Sequence, residues 1–289
     1  QQEKNYQKLL QSENSQVKKN TSKQDETFDN DFGNSLKYLK SLSENNHQGH
    51  NYTVKTNFNK VNRPTSTLNG LEPIIQIRNL NIGYTKSLVK DITAQIYPGD
   101  RIAIIGPSGI GKTTLLRTIA GLIAPLSGEI NNNCSGRGDI GYIPQKLGLV
   151  RHSSAKSNVM LGARTRKSRL HLPFLGLGVG LNKQVDQLLQ KLGISEISDE
   201  PVRILSGGQQ RRVAIARALI QKPKLIVADE FLGELDADNI DSIIDILETQ
   251  LSEINATLVM VEHQENIARS LATRIWRIVD NQIIEERVE

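Results

Sequence analysis

The stretch Arg101-Ile-Ala-Ile-Ile-Gly106-Pro-Ser-Gly-Ile-Gly111-Lys112-Thr113-Thr114-Leu-Leu116 decides the architecture. Arg101 to Ile105 is a short apolar run with no polar alternation, which reads as a strand buried on both faces. Gly106, Pro107, Ser108, Gly109, Ile110 and Gly111 follow as a loop, and Lys112 to Ala120 reads as a helix. The loop fits G-x-x-x-x-G-K-[ST], set between a strand and a helix as that pattern requires. Glycines let successive backbone N–H groups turn inward around an anion, and the helix N-terminus adds positive partial charge. Lys112 is then placed to reach terminal phosphates, and the Thr113 hydroxyl, beside Thr114, to hold Mg²⁺.

Outward from that loop, strands and helices alternate. Ile74 to Leu80 and Ile92 to Tyr97 alternate as strands, and Pro98-Gly99-Asp100 is a turn. Further strands are expected at 140–143, 225–228, 257–261, 274–279 and 282–286. Helices are expected at 155–162, 182–192, 208–221, 237–250 and 264–271. Such alternation implies an α/β fold with a mostly parallel, doubly wound sheet. There is no internal repeat, so one nucleotide-binding unit is expected.

Two further stretches carry chemistry. Leu225-Ile-Val-Ala-Asp229-Glu230 is an apolar strand ending in two acids, and strand ends in such sheets face the ligand crevice. Asp229 suits Mg²⁺, and Glu230 suits orientation and activation of an attacking water. Leu205-Ser206-Gly207-Gly208-Gln209 opens a second helix, so Ser206 and two glycines at a helix start make a second anion site.

With that motif the chain resembles the ATP-binding-cassette (ABC) family over about residues 74–289. The resemblance implies ATP and Mg²⁺ as ligands and a P-loop NTPase core of the RecA-like type. It adds an antiparallel β subdomain and an α-helical subdomain inserted over roughly 146–220. It implies that Tyr84 stacks on adenine, that Gln145 of the Q-loop approaches Mg²⁺ and the attacking water, and that His263 is the switch histidine contacting the γ-phosphate. It also implies that Asp236 of the D-loop crosses a dimer interface, and that Ser206, Gly207, Gly208 and Gln209 bind the γ-phosphate of ATP held by the opposite subunit. Phe231 departs from the family's usual Pro, Gly233-Glu234 from its Ser-Ala, and Glu262 and Gln264 from the Thr and Asp that usually flank the histidine.

The implied partners are a second ATPase subunit, transmembrane permease subunits and a substrate-binding protein, at the cytoplasmic face of the membrane. No nucleic acid is expected. Leu149 to Gly162 and Phe174 to Gly178 look like the ATPase subunits of phosphonate importers. An efflux or lipoprotein-release ATPase shares every core motif, and a non-transport ABC ATPase is the third reading, disfavoured by the lack of zinc cysteines or a second cassette. Arg164, Arg166, Lys167 and Arg169 form a basic cluster in the insert.

Composition bounds the rest. The chain has 289 residues, net charge +5 and only 4% aromatics, so its core must be aliphatic. One cysteine, Cys134, excludes an internal disulfide and a multi-cysteine metal site. No run of 18 apolar residues exists to span a bilayer. Residues 1 to about 72 are rich in Asn, Gln, Ser and Lys and lack any hydrophobic period, so they read as a disordered tail ahead of the ATP-binding domain.

Overall fold

The structure, a computed structural model, describes residues 72–165, 178–233 and 240–288. The polar N-terminal stretch, Asp236, and Arg166, Lys167, Arg169 and Phe174 of the insert lie outside the described residues.

Two sheets form. The larger has six strands in the order β5-β6-β7-β3-β8-β9. These are β5 (Ile140–Ile143), β6 (Leu225–Asp229), β7 (Thr257–Val261), β3 (Arg101–Ile105), β8 (Arg274–Val279) and β9 (Gln282–Arg287). The first five are mutually parallel, and β9 returns antiparallel to β8. The smaller sheet is antiparallel, ordered β2-β1-β4, from β1 (Ile75–Gly83), β2 (Ser87–Ile96) and β4 (Ser127–Asn132). The helices are α1 (Lys112–Ile119), α2 (Ala155–Arg164), α3 (Gly178–Lys191), α4 (Gly207–Leu219), α5 (Ile240–Glu253) and α6 (Glu265–Leu271).

The expected α/β architecture holds, with P-loop core, antiparallel β subdomain and helical insert. Its cause is visible in the side-chain alternation of the parallel strands. β6 sends Leu225 and Val227 into one core and Ile226 and Ala228 into the other. In β3, Ile102 and Ile104 face the first core, Ala103 and Ile105 the second. The first core is closed by α1 and the antiparallel sheet, through Leu115, Leu116, Ile77 and Ile96. The second is closed by the remaining helices, through Val159, Leu188, Val213, Leu247 and Ala268. A strand covered on both faces must be apolar throughout, and each such aliphatic side chain contributes about 1.5–3 kcal/mol.

Three expectations shift. β2, expected from Ile92, begins at Ser87. β4, with the sequence Ser-Gly-Glu-Ile-Asn-Asn, was not anticipated, because it is a largely exposed edge strand with one part-buried apolar residue. It exists because β1 offers it a paired edge, Ile77 opposite Ile130. The helix expected at 182–192 begins at Gly178, four residues early. Among the described residues no helix is long and apolar enough to cross a membrane.

Candidate active site

Strand β3 ends at the phosphate loop, and β6 and β7 end beside it. The loop's residues Pro107, Ser108 and Gly109 are exposed. Gly109 has φ +78, and a Cβ there would meet nothing within 4 Å, so its glycine is required by the backbone conformation rather than by crowding. Gly111 caps α1 in the left-handed region with no side-chain cap, which leaves the first-turn N–H groups to an external acceptor. A side chain at Gly111 would press on Leu88 and Val89. Ile110 packs into the first core, and Thr114 is buried.

Lys112 is only 5% exposed, and its Nζ donates to Gly106 O at 2.8 Å and Pro107 O at 2.9 Å. Burial lowers its pKa, while Glu230 and Asp229 pull it back up. Thr113 Oγ1 donates to Asp229 Oδ1 at 3.1 Å. Asp229 is fully buried, and its Oδ2 has no hydrogen-bond partner. Burial pushes the Asp229 carboxyl above its usual range; the Thr113 hydrogen bond opposes this and the charge of Glu230 adds to it. An orphaned, desolvated carboxylate oxygen beside a threonine hydroxyl is the oxygen donor set a hard divalent cation takes, so the residues fit Mg²⁺.

The next residue, Glu230, is gripped from two sides. Gln145 Nε2 donates to its Oε2 at 2.7 Å, and His263 Nε2 lies 2.7 Å from its Oε1. Three segments far apart in sequence thus meet at one carboxylate: the loop after β5, the end of β6 and the loop after β7. Glu230 itself sits at φ +51, a left-handed conformation that costs a residue with a Cβ on the order of 1–3 kcal/mol. Its N–H donates to Val261 O at 2.9 Å, and its C=O accepts from Arg211 Nη1 at 2.7 Å.

The loop carrying Gln145 is pinned from behind. Arg217 of α4 donates to Leu147 O and Gly148 O at 2.6 and 2.7 Å. Asn158 of α2 accepts from Val150 N at 2.8 Å and donates to Val150 O at 3.1 Å. At the start of α4, Ser206 and Gln209 form a reciprocal capping box, with bonds of 3.2 and 3.0 Å. Ser206 and Gly207 remain exposed and Gly208 and Gln209 half-buried. Tyr84 is 62% exposed.

The sequence pattern of the "ABC transporter" family matches residues 89–233, which is half the chain. The chain belongs to the ABC transporter family. It is 34% identical over 231 residues to the arginine transport ATP-binding protein ArtP of Haemophilus influenzae, covering 73% of this chain and 90% of that protein. It is 32% identical over 228 residues to the hypophosphite import ATP-binding protein HtxD of Stutzerimonas stutzeri, covering 73% of this chain but 65% of that one. Several of the import relatives are matched over only 54% to 65% of their length. Among solved structures, the chain is similar to the ATP-binding cassette MJ0796, a dimer in a post-hydrolysis state with ADP and Pi bound. The TM-score is 0.65 at 29% identity, covering 74% of this chain and 99% of that one.

The structure brings Thr113 against Asp229, and Gln145 and His263 against Glu230, at the ends of the parallel strands beside the phosphate loop. Two residues joined to the cluster had no role in the sequence reading. Arg211 lies in α4 five residues past Ser206, and its position said only "helix". Glu262 stood out merely as a departure from the usual Thr before the histidine. It is 2% exposed, and its Oε1 accepts from Leu232 N at 3.2 Å. Burial, with Glu230 adding to it, pushes the Glu262 carboxyl up to about 7.

Proposed function

We propose that this chain is the ATP-binding and ATP-hydrolysing subunit of an ABC importer, working as a head-to-tail pair of cassettes on separate permease subunits. The observation that carries the reading is the single carboxylate of Glu230 held between Gln145 and His263, one residue after the Mg²⁺-type pair Thr113–Asp229.

ATP bound at the phosphate loop places its γ-phosphate beside Lys112, which exchanges two backbone carbonyls for phosphate oxygens. Thr113 and Asp229 would hold Mg²⁺, with Gln145 as a further candidate ligand, and the ion would supply positive charge to neutralise developing phosphate charge. Glu230 then accepts a proton from the attacking water as that water closes on the phosphorus in line. Gln145 and His263 fix the carboxylate's orientation and supply hydrogen bonds to the reacting oxygens. With Glu230 ionised, the His263 contact requires a proton on Nε2. Tyr84 offers an exposed ring to adenine. Ser206, Gly207 and Gly208 of the second copy close over the γ-phosphate, so ATP joins the pair and hydrolysis releases it. Asp236 crosses between the copies.

The cargo we assign is phosphonate or a related oxyanion. Support comes from the run Leu149 to Gly162, and from the relative named for hypophosphite, itself a phosphorus oxyanion. The other import relatives are named for arginine, polyamines, molybdate and methionine, which are chemically unrelated cargoes on one cassette chemistry.

The test is Glu230→Gln. ATP binding is expected to persist, a closed dimer to accumulate and turnover to fall by on the order of 10²–10⁴-fold. Normal turnover overturns the role of Glu230. Reconstitution with permease subunits that co-purify with this chain, fed phosphonate, hypophosphite and arginine in turn, decides the cargo.

A further inference from the structure

The peptide around Glu230 is the most constrained short segment in the crevice. Its left-handed φ of +51 is unfavourable on its own, so the flanking bonds must hold it. Val261 O takes the Glu230 N–H, and Arg211 Nη1 takes its C=O. Two residues on, the Leu232 N–H donates to Glu262 Oε1 at 3.2 Å. Phe231 and Leu232 are 1% and 0% exposed, so water does not compete for that N–H group. Glu262 immediately precedes His263, and its own N–H donates to Ile104 O at the end of β3. One buried side chain thus ties the segment leaving Glu230 to the loop that carries the residue gripping Glu230 from the other side.

We propose that Glu262 is a positioning residue for hydrolysis: by accepting from the backbone N–H of Leu232 it fixes the turn that aims the Glu230 carboxylate between Gln145 and His263. This rests on the reading of Glu230 as the group that activates water. One departure from the family pattern then has a use: Glu262 supplies to Leu232 N–H an acceptor that a shorter residue would not bring as close. A fixed aim matters because a misplacement of about 1 Å at a reacting group can cost on the order of 10²-fold in rate.

The experiment compares Glu262→Leu with Glu262→Gln in the full chain. Both remove the buried charge and both keep the side-chain volume, so both are expected to fold; gel filtration and thermal melting check this. Only Gln retains an oxygen for Leu232 N–H. The expected result is that Leu lowers kcat by about tenfold or more, with KM for ATP within about twofold of the parent, while Gln keeps kcat within about threefold. Equal kcat for the two variants, whether both high or both low, overturns the proposal, as does a loss that appears in KM rather than kcat. Glu230→Gln is measured alongside. If it turns over normally, the water-activating role of Glu230 fails whatever Glu262 does. If it is inactive while Glu262→Leu is fully active, only the positioning role fails.

Discussion

The molecule concentrates charge in two places, and they are built on opposite rules. At the β8–β9 edge, Arg274 donates through Nε and Nη2 to both oxygens of Glu285 at 2.9 and 2.8 Å, pairs with Asp100 and bonds Gln95 O of the small sheet. Trp276 Nε1 completes Glu285 at 3.1 Å, and its ring lies under the Arg274 guanidinium. Beside it Arg277 and Arg269 share Glu265 and Glu286. Burial works against the charge on Arg274, yet Glu285 and Asp100 together hold its pKa above the ordinary value. Beside the phosphate loop the reverse holds. Asp229 Oδ2 is buried and unpartnered, Lys112 makes do with backbone carbonyls, and burial pushes Glu262 up to about 7. Saturated pairs make a joint between the sheets; unsaturated ones make a place for a ligand.

The widest expected gap between the two regions is in rate. Lys112→Ala should remove detectable ATP binding, and Glu230→Gln should cut turnover by on the order of 10²–10⁴-fold while leaving the melting temperature nearly unchanged. Arg274→Ala should do the opposite. Stripping one partner from a buried network costs about 3–5 kcal/mol, seen as an earlier denaturant midpoint, with kcat per folded molecule preserved. A loss of kcat in that folded variant would break the division.

Asp229→Asn sharpens it from the other side. A carboxyl whose folded pKa is raised contributes stability present at low pH and lost as pH rises through the folded pKa. Above that point the nucleotide-free Asn variant should be at least as stable as the parent, while Mg²⁺ with ATP should raise the melting temperature of the parent and not of the variant. Glu262 gives the same sign in a named window. Its ordinary value is 4.5 and its folded value about 7, so wild-type stability falls relative to Glu262→Gln from about pH 4.5 to pH 7. The relative gain of the Gln variant at pH 8 over pH 4 should be on the order of 3 kcal/mol by thermal or urea unfolding. A flat difference across that range contradicts the buried, ionised state. The smallest effect is expected at the exposed pair Lys156–Asp186, where Asp186→Asn should change stability by about 0.2–1 kcal/mol or less.

The parallel strands were legible because burial on both faces demands uninterrupted apolar runs such as Leu225 to Ala228 and Arg101 to Ile105. The phosphate loop and the Asp229–Glu230 pair were legible because phosphate chemistry needs fixed residue types at strand ends, Asp229 ending β6 and Glu230 following it. Gln145 and His263, two residues past β5 and β7, were legible only through the family resemblance. β4 was not legible, since Ser127 to Asn132 owes its strand to pairing with β1 and carries almost no hydrophobic signal. The arginine joint was hidden for a similar reason. Whether Arg274 meets Glu285 depends on the β8–β9 register, which no local pattern states. Glu262 was visible only as an odd neighbour of His263; its partner Leu232 lies thirty residues away, and only the fold brings them together.

The most direct measurement is the mass of the Glu230→Gln chain in solution by light scattering, with Mg²⁺ and either ATP or ADP. If a γ-phosphate joins two copies through Lys112 of one and Ser206 of the other, the mass should double with ATP and stay single with ADP, and Lys112→Ala introduced into the same chain should abolish the doubling. A single mass with saturating ATP, or a doubled mass that ignores which nucleotide is present, would contradict it.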